Sequence, residues 1–170
     1  MAKPAIRSFL PFLPLTLFIL SNRITHIWKI AFIIAGIIST ANVIISFKKS
    51  IKTDPFLIGI NYFLIGGLVM HILNIKFLQF IYGKFMYATL FISVFIVGLF
   101  LTFYTPEGFT GSVVEDKKTT RKLSLMLCGL SFLCIFFSWY FINDYYKAAW
   151  IPFVSLLFFR DALIAFFKEE

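Results

Sequence analysis

Arg160 and Asp161 stand side by side inside Pro152 to Phe167, a run that otherwise holds only apolar residues and Ser155. They are the only formal charges that fall well inside a hydrophobic segment of this chain. In hydrocarbon such charges must be paired, hydrated or able to reach the surface. One role for them is structural or lipid-anchoring: Arg160 lies about 10 Å in rise from the C-terminal end of its segment and can snorkel toward phosphates there. The bland variant ends the membrane part early and makes residues 160–170 an amphipathic surface tail. The sharper role is a substrate, ion or proton path lined by Arg160, Asp161, Asn42 and Asn61. Consecutive helical positions do not face each other, so each charge is expected to find its own partner elsewhere.

Other reactive side chains are few. His26, His71 and Asp144 could hold a metal or move a proton, since histidine changes charge near neutral pH. Nothing in their spacing brings them together, and solvated interface residues are the default reading, so neither metal nor cofactor is expected. Cys128 and Cys134, six positions apart in one apolar run, point in different directions on a helix and are not expected to bridge. Paired catalytic carboxylates, a zinc-protease helix, a nucleophile elbow and a four-ligand Cys/His set are all missing. Gly108-Phe109-Thr110-Gly111-Ser112 lacks the Gly-Lys-Ser/Thr ending of a phosphate loop. The chain is therefore expected not to be an enzyme. A weaker alternative is a lipid-modifying enzyme that uses His71 or His26 at the outer interface.

The composition says what solvent must hold these residues. With 60% hydrophobic residues, 14% charged residues and 24 phenylalanines, the chain has more apolar surface than a soluble domain of 170 residues can hide. A bilayer accepts it. The net charge of +8 does not argue for nucleic acid, because Lys and Arg sit in short loops between apolar runs, where they set orientation and meet anionic lipid.

Apolar runs fall at about 8–21, 30–47, 55–74, 85–104, 123–142 and 150–167. The expected fold is all-α: a single integral membrane domain over residues 1–170, a polytopic transmembrane helix bundle of six spans, or five if the first segment is re-entrant. Pro11 and Pro14 make that first segment the short, irregular one. They either shape a helix entrance or break the segment as in transporters with discontinuous helices. Lys3 and Arg7 before Phe9 to Leu20 give it the look of a signal peptide, but Ile19 and Ser21 make a poor cleavage site, so it is expected to be retained.

Loop charges choose between the counts. Six spans put Lys3, Arg7, Lys48, Lys49, Lys52, Lys117, Lys118, Arg121, Lys122 and Lys168 on one side, against Arg23, Lys29, Lys76, Lys84 and Lys147 on the other. Five spans remove nearly all of this bias. The positive-inside rule therefore favours six, with N- and C-termini cytoplasmic. Trp28, Tyr82, Trp139, Tyr140, Tyr145, Tyr146 and Trp150 then gather near the outer interface. On the cytoplasmic side Lys48, Lys49 and Lys52, and Lys117, Lys118, Arg121 and Lys122, are expected to meet anionic headgroups; a docking role is the alternative.

Small residues mark expected helix-packing faces. Ala35, Gly36 and Ser39 lie with Thr40 on the second segment, Gly66 and Gly67 with Gly59 on the third, and Ser124, Ser131 and Ser138 recur every seven residues on the fifth. The serine stripe either packs on another helix or lines a pore. Pro55 after Asp54 fits a helix start. Ile75 to Lys84 reads as an interfacial connection. Ser112 with Glu115 reads as a capping box opening a helix toward the fifth segment.

The opening Phe9-Leu10-Pro11-Phe12-Leu13-Pro14-Leu15 resembles the start of the bacterial intracellular septation protein A family, also called inner-membrane-spanning proteins. The likeness extends to His71 with the lysine-bearing stretch after it, to Tyr87-Ala88-Thr89-Leu90-Phe91, and to Lys122-Leu123 leading into Cys128-Gly129-Leu130. It covers about two-thirds of the chain. Pro11 departs from the acidic or polar residue of that family, and Arg160-Asp161 has no counterpart in it. The resemblance implies a bacterial inner-membrane protein that supports envelope integrity or division through other membrane proteins, with no catalytic residues. Two functions are thus expected: a non-enzymatic scaffold or accessory subunit in cell-envelope assembly, septation or membrane homeostasis, meeting other membrane proteins or its own copies; or a small transporter or channel.

Overall fold

The computed structural model describes residues 12–49, 53–85, 87–112, 116–144 and 146–167. Its regular structure is helical throughout. Helices α1 (Leu13–Thr25), α2 (Trp28–Lys49), α3 (Pro55–Ile72) and α4 (Lys76–Phe85) are followed by α5 (Ala88–Tyr104), α6 (Lys117–Tyr140) and α7 (Ile151–Phe166). A short 3-10 turn, Gly108–Thr110, precedes α6, and a π-turn, Tyr146–Trp150, leads into α7. Among the described residues, four helical stretches are long and apolar enough to cross a membrane: Trp28–Ser46, Pro55–Ile72, Lys117–Tyr140 and Tyr146–Phe166. The count becomes five if α4 and α5 form one broken span. The chain is thus an all-α, multi-pass helical membrane protein. Residues 8–11 of the expected first segment, Pro11 among them, lie outside the described residues. Pro14 sits in the opening turn of α1, where a missing amide costs no helical hydrogen bond.

Two compact units divide the chain, Met1–Tyr82 and Gly83–Glu170. In the first, α1 and α3 pack on α2. The small residues explain the closeness of α2 and α3: Ala35 and Ser39 are wholly buried, and a Cβ added at Gly36 would lie 2.5 Å from Leu68 Cβ. At Gly67 an added Cβ would run into the Phe32 ring, and at Gly66 into the Tyr82 hydroxyl. The two glycines therefore form a notch in α3 that receives one ring from α2 and one from α4. Phe32 also meets Phe18 at 4.8 Å and Phe63 at 5.3 Å between ring centroids, in offset or edge geometries that aromatic quadrupoles favour. Tyr82 stacks on Phe63 at 5.5 Å and donates its hydroxyl to the Phe63 carbonyl at 3.0 Å. Tyr82 is thus a packing residue. Its phenol can fill a helix groove while its hydroxyl finds a backbone acceptor.

Helix starts follow local chemistry. Asp54 caps α3 through the Phe56 amide at 2.9 Å, with Pro55 in the first turn, as the sequence suggests. At α6 the structure corrects the expectation. The helix opens at Lys117, and its cap is Asp116, which accepts from the Thr119 amide at 2.6 Å. Ser112 lies four residues too early; its carbonyl instead accepts from Thr110 Oγ1 at 2.8 Å.

The second unit is built on one face of α6. Thr120, Ser124, Cys128, Ser131, Cys134 and Ser138 are all buried, at spacings of three and four that give a helix one inward stripe. Each has local work. Ser124 Oγ accepts from the Phe109 amide at 2.9 Å, Ser131 Oγ donates to the Leu127 carbonyl at 2.9 Å, and Ser138 Oγ donates to the Ala148 carbonyl at 2.6 Å. Cys128 Sγ lies 3.7 Å from Thr102 Oγ1, and Cys134 Sγ is 3.9 Å from the Pro152 carbonyl. Both thiols are free, as their spacing suggests. The stripe packs inside its own unit.

Candidate functional site

The charged pair lies near the C-terminal end of α7. Of this helix only Pro152 and Leu156 are buried. Ile151, Val154, Phe158, Asp161 and Ala165 follow one another at spacings of three and four, and all five are exposed. Asp161 therefore stands on an uncovered apolar face, its side chain 68% exposed, next to Phe158 at 70%. Arg160 is turned inward, at 15%.

The two charges meet each other, contrary to the expectation of separate partners. Arg160 Nε and Nη2 both donate to Asp161 Oδ1, each at 2.9 Å. The long arginine stem bridges the helical rotation that separates the two Cα–Cβ directions. The pair lowers the cost of a carboxylate on an apolar helix face, which at a bilayer centre would be on the order of 3 kcal/mol and falls toward the interface. Asp161 precedes Phe166 by five positions, about 8 Å of helix rise, so the pair belongs near one interface and not at the midplane.

The remaining polar candidates lie in the first unit. Asn61 is 4% exposed, Ser39 is wholly buried, and Asn42 is half-buried on α2. Asn61 Oδ1, Ser39 Oγ and Asn22 Oδ1 are buried atoms without a hydrogen-bond partner among the described residues. Buried orphan oxygens are uncommon and mark polar sites inside a helix bundle. The histidines take separate tasks. His26 closes α1 in the left-handed conformation, φ 53°, its amide donating to the Asn22 carbonyl at 2.9 Å. The His71 ring lies 5.9 Å from that of Phe32. Asp144 accepts from the Lys147 amide at 3.2 Å and pairs with Lys147 Nζ at 3.1 Å, and these contacts hold its carboxyl below the usual carboxylate range. No three His, Cys, Asp or Glu side chains converge on a metal site among the described residues.

Basic residues crown the start of α6: Lys117, Lys118, Arg121 and Lys122 are all exposed. The Arg121 guanidinium carbon sits 4.6 Å over the Phe103 ring, a cation–π contact that fixes the side chain against α5. In the other basic cluster Lys48 is exposed, while the Lys49 side chain and Lys52 lie outside the described residues. At the opposite end of α6 and into α7, Trp139, Tyr140, Tyr146 and Trp150 are exposed, the arrangement of an aromatic belt. Helix α6, with 24 residues and about 36 Å of rise, thus carries cations at one end and aromatic rings at the other, separated by roughly a membrane thickness.

Phe109 is the residue that sequence reasoning missed. It is wholly buried, its ring filling the space that a side chain at Gly98 would take. Gly108, at φ +58°, makes the turn that delivers it, and a Cβ there would strike Ser124 Oγ. A lone phenylalanine between two glycines in the most polar loop was the available signal. Instead of cradling an anion, this loop closes one end of its own helix unit.

Compared with protein-family models, with curated proteins and with solved structures, the chain finds no match in any of the three.

Proposed function

We propose that this chain is a non-enzymatic multi-pass protein of a bacterial inner membrane, with both termini cytoplasmic, that serves as a scaffold or accessory subunit in cell-envelope assembly, septation or membrane homeostasis. One observation carries the reading: the uncovered face of α7, where Asp161 projects among Ile151, Val154, Phe158 and Ala165. Acyl chains give a carboxylate on such a face nothing to bond beyond its Arg160 partner. A transmembrane helix of a partner protein offers further donors to the carboxylate, and packing for the rings on either side. The small-residue faces are engaged within each unit, and α7 offers partner contact through an exposed face that carries a charge. The resemblance to the septation family supplies the bacterial setting, and the excess of Lys and Arg in alternate loops supplies the orientation.

Isolation of the intact protein in nanodiscs, with its mass and co-purifying proteins identified, tests the reading. A stoichiometric membrane partner, lost on Asp161→Leu, is expected. A monomer with no protein bound in either form refutes it. The orphan oxygens of Asn61 and Ser39 favour a second reading, a small transporter or channel. That reading requires Asn61→Leu to abolish a solute flux in proteoliposomes while assembly stays intact.

A further inference from the structure

Opposite its buried stripe, α6 presents one continuous exposed face. It begins with Lys118, Arg121 and Lys122, and then runs without another charge from Leu125 through Gly129 to Phe136, with successive positions three or four apart. Two features separate it from an ordinary lipid-facing helix. Arg121 is already held over the Phe103 ring, so less side-chain freedom is lost when its charge meets an anion. Gly129 leaves the backbone bare in the apolar part: a Cβ placed there would find nothing within 4 Å. The spacing fits one amphiphile. From Arg121 to Gly129 the helix rises about 12 Å, and to Phe132 about 16 Å, against about 15 Å for half the hydrocarbon thickness of a bilayer. Of the acidic residues described in the adjoining loop, Asp116 is engaged in capping Thr119 and Glu107 is the other, so the four basic side chains of the first turns leave this end positive.

We propose that this face of α6 seats one anionic phospholipid, its phosphate among Lys118, Arg121 and Lys122 and one acyl chain against the bare backbone at Gly129. The seat rests on α6 spanning the membrane and not on any partner protein, so it stands or falls apart from the subunit reading. It goes beyond general attraction of a basic loop to an anionic leaflet, because it requires a defined stoichiometry and a contribution from a residue that carries no charge.

The test is native mass spectrometry of the full chain in detergent, supplied with phosphatidylglycerol and phosphatidylcholine at equal concentration. The wild type is expected to retain one phosphatidylglycerol with a preference of about tenfold, from charge contacts of the usual surface size. The double variant Arg121→Gln, Lys122→Gln should lose the preference, whereas Lys48→Gln, in the other basic cluster, should keep it. Gly129→Leu fills open space and should leave the circular dichroism unchanged and the melting temperature unchanged or raised, while weakening retention several-fold. Equal retention of the two lipids overturns the proposal, as does a preference that survives the double variant or is untouched by Gly129→Leu. Displacement of the lipid by inorganic phosphate would assign the basic residues to a free anion and overturn it equally.

Discussion

Gly36→Ala is the smallest change that tests how α2 and α3 are held together. The new methyl would lie 2.5 Å from Leu68 Cβ and 2.9 Å from the Leu64 carbonyl oxygen. One of these atoms is backbone and the other is a single bond from it, so no rotamer change relieves the clash. Carbon atoms prefer separations near 3.5–4.0 Å, and the two helices must part by about 1 Å to restore them, a gap that forfeits a quarter to a half of the dispersion energy of each neighbouring contact. Overpacking of this kind costs about 1–3 kcal/mol, while alanine returns about 1 kcal/mol of helix propensity, so the net loss against wild type is about 0–2 kcal/mol and the deficit against a variant with the same propensity gain and no clash is about 1–3 kcal/mol. Gly129→Ala carries the same propensity gain with nothing within 4 Å of the added atom, so it should leave stability unchanged or raise it. The assay is unfolding in mixed micelles, followed by circular dichroism, with both variants read against wild type. Gly36→Ala as stable as Gly129→Ala, or more stable than wild type, would refute the reasoning.

Other expectations can be checked alongside. Ser124→Ala removes the acceptor of the buried Phe109 amide, which should cost about 1–3 kcal/mol and expose the loop after α5 to limited proteolysis. Ser138→Ala strips the Ala148 carbonyl of its 2.6 Å partner and should destabilise the second unit by a similar amount, about 1–3 kcal/mol, seen as a lower melting temperature. The Thr119 amide holds the Asp116 carboxyl below its ordinary value of 3.8. A carboxyl with a depressed folded pKa adds stability that is complete above the unfolded value and is lost as pH falls through the folded one. Relative to wild type, Asp116→Asn should therefore show no difference in pH slope near neutrality and a flatter melting curve only below about pH 4.

Much of the fold is legible in the sequence because a bilayer accepts few structures. Long apolar runs must become helices there, and Pro55, with Asp54 before it, marks a start that backbone chemistry leaves little choice about. The small size of these faces was legible: Ala35, Gly36, Ser39, Gly67 and the serine stripe of α6 are buried, and Gly66 is half-buried. What they pack against was not. Spacing identifies a face as small but carries no address, and here the address is a neighbouring helix or loop of the same unit. Arg160 and Asp161 illustrate a second limit. Helical periodicity places Cβ directions, whereas a flexible guanidinium can fold back on the next residue and form a pair that the periodicity rules out. Phe109 illustrates a third, since a short polar loop gives no periodic signal for a single buried ring.

The most direct test of the subunit reading is photocrosslinking in living bacterial cells, with a photoreactive amino acid in place of Phe158 on the uncovered face of α7. A discrete protein adduct at this position, absent when the same group replaces the buried Phe91 of α5, is the expected result. Phe158 labelled by lipid alone, with no protein adduct, would contradict the claim that α7 is where this protein meets its partner.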